Sequence, residues 1–496
     1  HVASQPLYFT QTNNSFVFAA EKKMLLSLSD QQVDVDPVGL LQSFAHIHNL
    51  GDRTFVRSVR RLEPGQVVTA NNSKLSVLTR DLLPLQNPEA RQSTGVLEQW
   101  AELLRQATAA RIEPQQSLLI SLSAGLDSRA IACSIDRDHR PLLARTWGAE
   151  DSTEVTLASK IADRLGFTQV LEDPGKTRYS DALDAVVWRT EGESPLTNNV
   201  SIFGHRKLLD KCDYVTGGWM GDASSGAHLR PFMLRPRSKA DFVEALFDWY
   251  LVHSKASLAN VFQEDFVSSN YDELRDAFRD SFTRFSDCDN LSTYEYWDLY
   301  HRQTRMTTSS MPVDSYIFEK VRPFYDKDYL SFVMSLPKSW RIGQSYYRSM
   351  IEMIGPEIRD IPDSNTDLKL RGNPKMNLVG YLWASRHKAY KKIARQFGRT
   401  YQRGSFISVQ NKGGAVRDDS RLRERLESFL ASEYFDDAIF DRGSISQMLD
   451  QHYSGRSDHS DLIIRLATAS VALQYFVYER PSRCPAGANP LQIPEH

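Results

Sequence analysis

The residues of this 496-residue chain whose types and spacing suit chemistry begin where an apolar strand runs into small side chains. Leu118-Leu119-Ile120-Ser121-Leu122 leads into Ser123-Ala124-Gly125, and Leu126-Asp127-Ser128-Arg129 opens a helix. Small residues at the carboxyl end of a strand let a phosphate approach backbone N–H groups, and the helix that follows turns its positive end toward that anion. Ser121, Ser123, Ala124, Gly125, Leu126, Asp127 and Ser128 are therefore a candidate phosphate loop, with Asp127 able to hold a magnesium ion. A plain strand-to-helix turn with a Ser or Asp cap is the competing reading. A second such stretch, Gly217-Gly218-Trp219-Met220-Gly221-Asp222, follows the apolar Tyr214-Val215-Thr216, and taken alone it reads as a glycine-rich turn.

The elements that must position these loops alternate. The pattern predicts strands at 117–122, 141–147, 168–171 and 213–216, separated by helices at 128–135, 153–165, 181–189 and 201–209. Such alternation argues for an α/β fold, a parallel sheet with helices on both faces. Beyond Arg235 the chain reads as mainly helical to Glu479, with no internal repeat. The first 85 or so residues read differently, as short strands at Leu7–Thr10, Phe16–Ala19 and Gln66–Thr69 around a helix near Pro37–Phe44. The polar run Asn87 to Ser93 precedes a helix with Val96, Trp100, Leu103, Leu104 and Ala107 on one side, which divides the chain into 1–85 and 86–496.

Bulk properties restrict the function. A formal charge of -2 gives no global attraction to nucleic acid or to a membrane. Cys133, Cys212, Cys288 and Cys484 lie far apart without CxxC spacing, which fits a reducing cytoplasm and indicates neither a zinc site nor a disulfide framework. The apolar run Leu462 to Phe476 is interrupted by polar residues, is short of the roughly 20 that a spanning helix needs, and reads as a buried helix. Gly175-Lys176-Thr177 imitates the end of a Walker motif, but Val170 stands where the upstream glycine belongs. His205, His228, His301 and His452 show no metal spacing and read as structural or solvent-facing.

Ser123-Ala124-Gly125-Leu126-Asp127-Ser128 resembles the S-G-G-x-D-S pyrophosphate loop of asparagine synthetases and their relatives, with Ala124 in place of the first glycine. Tyr214 to Gly226 is similar to the S-G-E-G-A-D-E-x-x-G segment of that family, Gly217, Asp222 and Gly226 falling on matching positions. The resemblance implies ATP and magnesium as cofactors, Asp127 and Asp222 as metal ligands, and Gly218 beside the phosphates. Two aspartates at neighbouring strand ends suit that chemistry, because departing pyrophosphate builds charge that magnesium can neutralise. Trp219 and Ala223 stand where asparagine synthetases carry glutamates, and an aromatic at the first position is similar to β-lactam synthetases. Trp219 is therefore expected to face an acyl substrate other than aspartate.

Further segments fall in the family's order. Asp151-Ser152-Thr153-Glu154 resembles the turn after the second nucleotide-binding strand, and Glu319 to Asp326 resembles the E-x-R-x-P-F-L-D segment. Phe440 to Phe476 is similar to the family's helical tail, and Pro6 to Gly65 to the back half of its glutaminase domain. Lys369 is the nearest candidate for the family's catalytic lysine, which would stabilise charge developing at phosphorus. The glutaminase nucleophile of this family is an amino-terminal cysteine, and none precedes Cys133; with His1 running at once into a strand, the expectation is that the sequence begins inside that domain.

The implied activity is an ATP-dependent amide-forming synthetase, a carbon–nitrogen ligase that activates a carboxylate as an acyl-adenylate, releases pyrophosphate and passes the acyl group to ammonia, glutamine-derived or not, or to another amine. A degenerate scaffold without catalysis and an RNA-modifying adenylase are the alternatives. Lys369 to Arg417 holds twelve Lys or Arg and no Asp or Glu. That block is a solvated face or a docking surface for an acidic substrate, carrier or partner or for an anionic membrane, with nucleic acid the least favoured occupant.

Overall fold

A computed structural model describes residues 5–493, apart from 12–14, 29–32, 72–73, 81–82, 84–93, 113–115, 138–140, 174–177, 210, 365, 367, 371–411 and 481. The boundary run at 87–93, most of the basic block and the Gly175–Thr177 imitation lie outside the described residues.

Three short antiparallel strands open the chain: β1 (Tyr8–Gln11) lies between β2 (Phe16–Ala19) and β3 (Arg60–Arg61), with Tyr8 opposite Ala19 and Arg61. A hairpin follows, β4 (Gln66–Asn71) on β5 (Lys74–Thr79). Between β2 and β3 the helix Pro37–Ala45 starts where Asp36 accepts the Gly39 N–H at 2.8 Å and Pro37 supplies a preset φ.

The second sheet is parallel throughout. β6 (Leu118–Ser121), β7 (Leu142–Trp147), β8 (Thr168–Glu172), β9 (Tyr214–Gly217) and β10 (Glu319–Val321) stand in the order β10-β9-β6-β7-β8. Leu118, Leu119 and Ile120 are all fully buried because both faces of the sheet are covered, which is why that strand reads as a continuous apolar run. Leu118 and Ile120 join the core formed with helices Val96–Ala109, Leu126–Ser134 and Ser345–Ile354. Leu119 and Val215 pack on the other face with Leu208, Cys212 and Phe318. From β6 the chain proceeds to β7 and β8 on one side and returns to β9 and β10 on the other. The gap between β6 and β9 is therefore the topological switch point, the place where open α/β sheets bind ligands beyond their carboxyl ends.

The expected helix at 201–209 is instead a 3-10 turn, Val200–Gly204, continued by the short helix His205–Leu208. Helices Ser420–Ala431, Arg442–Tyr453 and Ser460–Leu473 form the tail, the last continuing as a π-helix through Glu479. The run Ser460–Glu479 is 20 residues long, longer than the sequence suggests and apolar enough by length and composition to cross a membrane, yet most of it is buried inside the protein. Its burial partners include the first unit: Leu40, Leu41, Phe44 and Phe55 share one core with Val186, Ile463, Ala467 and Phe476. The apolar face of the helix Pro37–Ala45 thus shares a core with the carboxyl-terminal helices.

Candidate functional site

The loop after β6 is held by its own short side chains. The Ser128 hydroxyl takes the Ser123 N–H at 3.1 Å and meets the Ser123 hydroxyl at 2.9 Å, while the Gly125 N–H donates to Ser123 Oγ at 3.1 Å. The Ala124 N–H donates to Glu154 Oε1 at 2.6 Å, so a carboxylate already sits on this loop's backbone. Ser152 caps the helix that carries Glu154 by accepting the Val155 N–H at 3.3 Å. Ala124 is absent from the residues with positive φ, and so its methyl group meets no backbone strain there. Beneath the loop, buried Arg129 donates to the carbonyls of Ala124 at 2.9 Å, Ile361 at 2.7 Å and Pro362 at 2.5 Å. The Ser364 N–H donates to Ala124 O at 3.2 Å, and Arg348 pairs with Asp363 at 2.7 Å. These contacts lash segment 361–364 to the loop.

Across the switch point the glycines after β9 make room for Asp127. A Cβ on Gly218 would come within 2.7 Å of the Asp127 Cβ, and one on Gly221 within 2.7 Å of the Asp127 carboxylate. Leu126 is buried at the helix start, and Ser121 pairs with Gly217 at the ends of their strands. Asp127 Oδ1 is buried without a hydrogen-bond partner, and so is the hydroxyl of Tyr347, which stacks on Trp100 with ring centroids 5.5 Å apart. Burial, reinforced by the negative charge of Asp222, raises the Asp127 carboxyl well above its usual range, against the opposing pull of Tyr347 and His228.

Asp222 titrates the other way. Burial works to raise it, but His228 and Arg302 outweigh that and hold it below the usual carboxylate range. Its Oδ1 accepts the Ala223 N–H at 2.8 Å, and its Oδ2 lies 2.7 Å from His228 Nε2. Two carboxylates driven apart in this way differ in proton affinity, Asp222 giving up its proton readily and the buried Asp127 holding its own. Among the described residues no group of three or more His, Cys, Asp or Glu side chains gathers as a metal cage. Magnesium fits the pair nonetheless, since it takes one or two carboxylates and completes its shell with water and substrate phosphates.

The turn that carries Asp222 depends on Gly226, whose φ is 87° and whose Cβ would meet the Arg341 carbonyl oxygen at 2.6 Å. Arg341 is itself fixed by a buried fork on Glu295. Gly226→Ala is expected to destabilise the protein by about 1–3 kcal/mol through backbone strain alone, with the clash adding to it. Chemical denaturation measures the loss, and an unchanged midpoint would show that this turn tolerates a side chain.

Trp219 is half-buried at the carboxyl end of β9, where the buried Lys320 ammonium lies 4.7 Å from its ring centroid. Lys320 pairs with Asp314 at 2.7 Å. The ring packs against both the Leu119–Val215 face and the larger core. Lys369 is exposed, and the charge it acts on is Asp360, which is forked by Arg164. It is not among the charges that shift Asp127 or Asp222. Asp326 caps the helix Lys327–Met334 and pairs with Arg111 at 2.9 Å. The sequence reading did not foresee Glu154, Arg129, Asp298 or Arg302 at this site, and it passed over His228. Of these, only Glu154 carried a local signal, its place one residue after the cap-forming Ser152-Thr153.

Comparison with known proteins agrees with this geometry. The glutamine amidotransferase domain model matches residues 1–80, and the asparagine synthase model matches residues 99–209, which contain β6, the Ser123–Ser128 loop and Glu154. The chain is similar to asparagine synthetases over these stretches. "Asparagine synthetase [glutamine-hydrolyzing] 1" of Bacillus subtilis (strain 168) is 22% identical over 244 residues, which is 47% of this chain and 38% of that protein. "Putative asparagine synthetase [glutamine-hydrolyzing]" of Mycobacterium bovis is 26% identical over 255 residues, with the same shares of 47% and 38%. The matched region thus spans 38% of the length of these curated relatives. The chain has the α/β parallel sheet and the antiparallel amino-terminal strands that the resemblance implied.

Proposed function

We propose that this chain is an ATP-dependent, AMP-forming carbon–nitrogen ligase that joins a carboxylate to an amine through an acyl-adenylate. The observation that carries the reading is the buried, unpartnered carboxylate oxygen of Asp127 facing Asp222 across the sheet's switch point. In this reading Ser123, Ala124, Gly125 and Ser128 receive the phosphates, and the Ala124 N–H exchanges its bond to Glu154 for one to ATP. Asp127 and Asp222 hold magnesium, which when bound neutralises the charge that builds on departing pyrophosphate. Gly218 lets the nucleotide side of the loop close on Asp127. Lys369 and segment 361–364 move with the phosphate loop through Arg129 and Arg348. The match to a glutamine amidotransferase domain supports glutamine-derived ammonia as the amine, and four free thiols accord with a reducing cytoplasm. The two units are read as a glutaminase-like part, 1–85, and a synthetase part, 86–496.

Pyrophosphate exchange into ATP, run with a panel of carboxylates, tests the reading. At least one acid is expected to support magnesium-dependent exchange that is lost in Asp222→Ala; no exchange with any acid would favour a scaffold. Aspartate is expected to fail, because Trp219 and Ala223 supply a wall where an acidic contact would be needed, and a bulky wall can reject one acid while packing on another. Efficient conversion of aspartate to asparagine by the wild-type protein would overturn this assignment of Trp219.

A further inference from the structure

Asp222 and Asp127 are held in opposite ways. The Asp127 carboxylate keeps an oxygen with no partner, whereas both Asp222 oxygens are engaged, one by the Ala223 N–H and the other by His228. Behind Asp222 a chain of polar contacts runs into the protein. His228 Nδ1 lies 2.5 Å from Asp298 Oδ2, and Asp298 Oδ1 accepts from Arg302 at 3.3 Å and from Gln303 at 3.4 Å. Exposure falls along it, from 45% for the Asp222 side chain to 11% for His228 and 2% for Asp298.

The backbone is built to make this chain. The left-handed Gly226 turn, with the Ala227 N–H donating to Asp222 O at 2.9 Å, folds the chain back so that His228 meets a carboxylate six residues earlier. Asp298 begins the π-helix Asp298–Thr307, directly after the helix Asn290–Trp297. Such wide turns are uncommon and recur at functional sites. A packing histidine would not need both ring nitrogens on carboxylates, one of them almost fully buried.

We propose that His228 is the positioning residue of this site: seated between Asp222 and Asp298, it fixes the rotamer in which Asp222 presents its carboxylate toward Asp127. The inference rests on the assignment of Asp127 and Asp222 as the magnesium-binding pair. Partners of ligating carboxylates typically contribute 10- to 100-fold in metal affinity or activity. His228 acts through Asp222, and its loss is therefore read in metal dependence.

The test uses the full chain and manganese as an EPR-visible stand-in for magnesium. Free manganese is titrated in the presence of ATP for wild type, His228→Leu, His228→Gln, Asp298→Asn and Asp222→Asn, and pyrophosphate exchange is followed against magnesium concentration. Expected for His228→Leu is a manganese Kd raised about 10- to 100-fold, with exchange recovered at high magnesium. His228→Gln, whose amide can still donate to Asp222, is expected to lie between the two, and Asp298→Asn to weaken manganese in the same direction. Should His228→Leu fail to fold by circular dichroism, His228→Gln and Asp298→Asn carry the measurement. Wild-type manganese affinity in the folded His228 and Asp298 variants, with affinity lost in Asp222→Asn, overturns the role of His228 alone. Wild-type affinity in Asp222→Asn as well overturns the magnesium pair and this inference with it. A fall in maximal rate that no magnesium concentration restores also overturns the positioning role.

Discussion

Asp127→Asn is expected to lose pyrophosphate exchange and to gain thermal stability. The loss should reach roughly 10²- to 10³-fold or more, the range found when one preorganised electrostatic group is removed from a reaction centre. The gain follows from the same atom: Asp127 Oδ1 is buried without a partner, and burial together with Asp222 raises its carboxyl well above the usual range. A raised folded-state value means that the folded protein holds this proton more tightly than the unfolded chain does. Wild-type stability should therefore fall as pH climbs from the ordinary carboxylate range through the raised one, and Asp127→Asn should lack that fall. Thermal melts in chelator from pH 4 to 8 measure it. Asp222→Ala should move stability the opposite way, because it strips His228 and Asp298 of their outer partner. An Asp127→Asn protein with normal exchange would end the two-aspartate assignment; one with a lowered melting point would end the account of Asp127 as an uncompensated charge.

Glu193→Ala is expected to destabilise the protein by about 3–5 kcal/mol, the usual cost of leaving one half of a buried ion pair behind. Lys22, fully buried in the amino-terminal unit, pairs with Glu193 just after the helix Tyr179–Thr190, and its ammonium lies 4.0 Å from the Phe55 ring centroid. Neighbouring Glu191 accepts the backbone N–H groups of Lys22 at 2.9 Å and Lys23 at 2.7 Å, so the two glutamates together clasp the start of the helix Lys22–Ser27. Burial would raise the Glu193 carboxyl, but Lys22 and Arg61 overcome that and lower it. Its stabilisation is accordingly complete above the ordinary carboxylate value and is lost as pH falls through the lowered one. Glu191, raised by burial against Lys23 and Lys22, contributes with the opposite sign. Urea unfolding of Glu193→Ala and of Lys22→Met/Glu193→Leu separates the terms. The double variant should recover much of the loss, since an apolar pair leaves no charge stranded. Equal losses in both would show that shape, not charge, holds this contact.

The parts legible in the sequence were those whose signals are local. Leu118 to Ile120 announce a strand buried on both faces, and the small residues on either side of Asp127 announce a loop that backbone can approach. Phe16–Ala19 is a strand over the residues that its apolar run marks. β10 carries no such signal: Glu319-Lys320-Val321 is short and two of its three residues are charged, and it is a strand because β9 pairs with it and Asp314 receives Lys320. The helix expected at 201–209 tightens to a 3-10 turn as far as Gly204, where any side chain would collide with the Glu172 carboxylate. The relay behind Asp222 was invisible for a related reason. His228 and Asp298 lie 70 residues apart, and no spacing rule joins them; only the packed π-helix brings them to 2.5 Å. Lys369 was chosen by its place in the order of motifs, and the structure sets it at the surface beside Asp360.

The helix Ser460–Leu473 reaches the first unit directly: Arg465 donates to the Ser43 carbonyl oxygen at 2.9 Å, and the flanking apolar side chains share a core with Leu40, Leu41 and Phe44. Synthesis proceeds from the other end of the chain, so the carboxyl-terminal partners of residues 37–45 are among the last to leave the ribosome, long after Phe262 and the helix Glu264–Asp280. At about 5–20 residues per second, the more than four hundred residues between Ser43 and Arg465 take tens of seconds to appear. Phe262 and the helix Glu264–Asp280 cover part of the apolar face of Leu40, Leu41 and Phe44 midway through synthesis, and only the last part of that core is completed at the very end of translation.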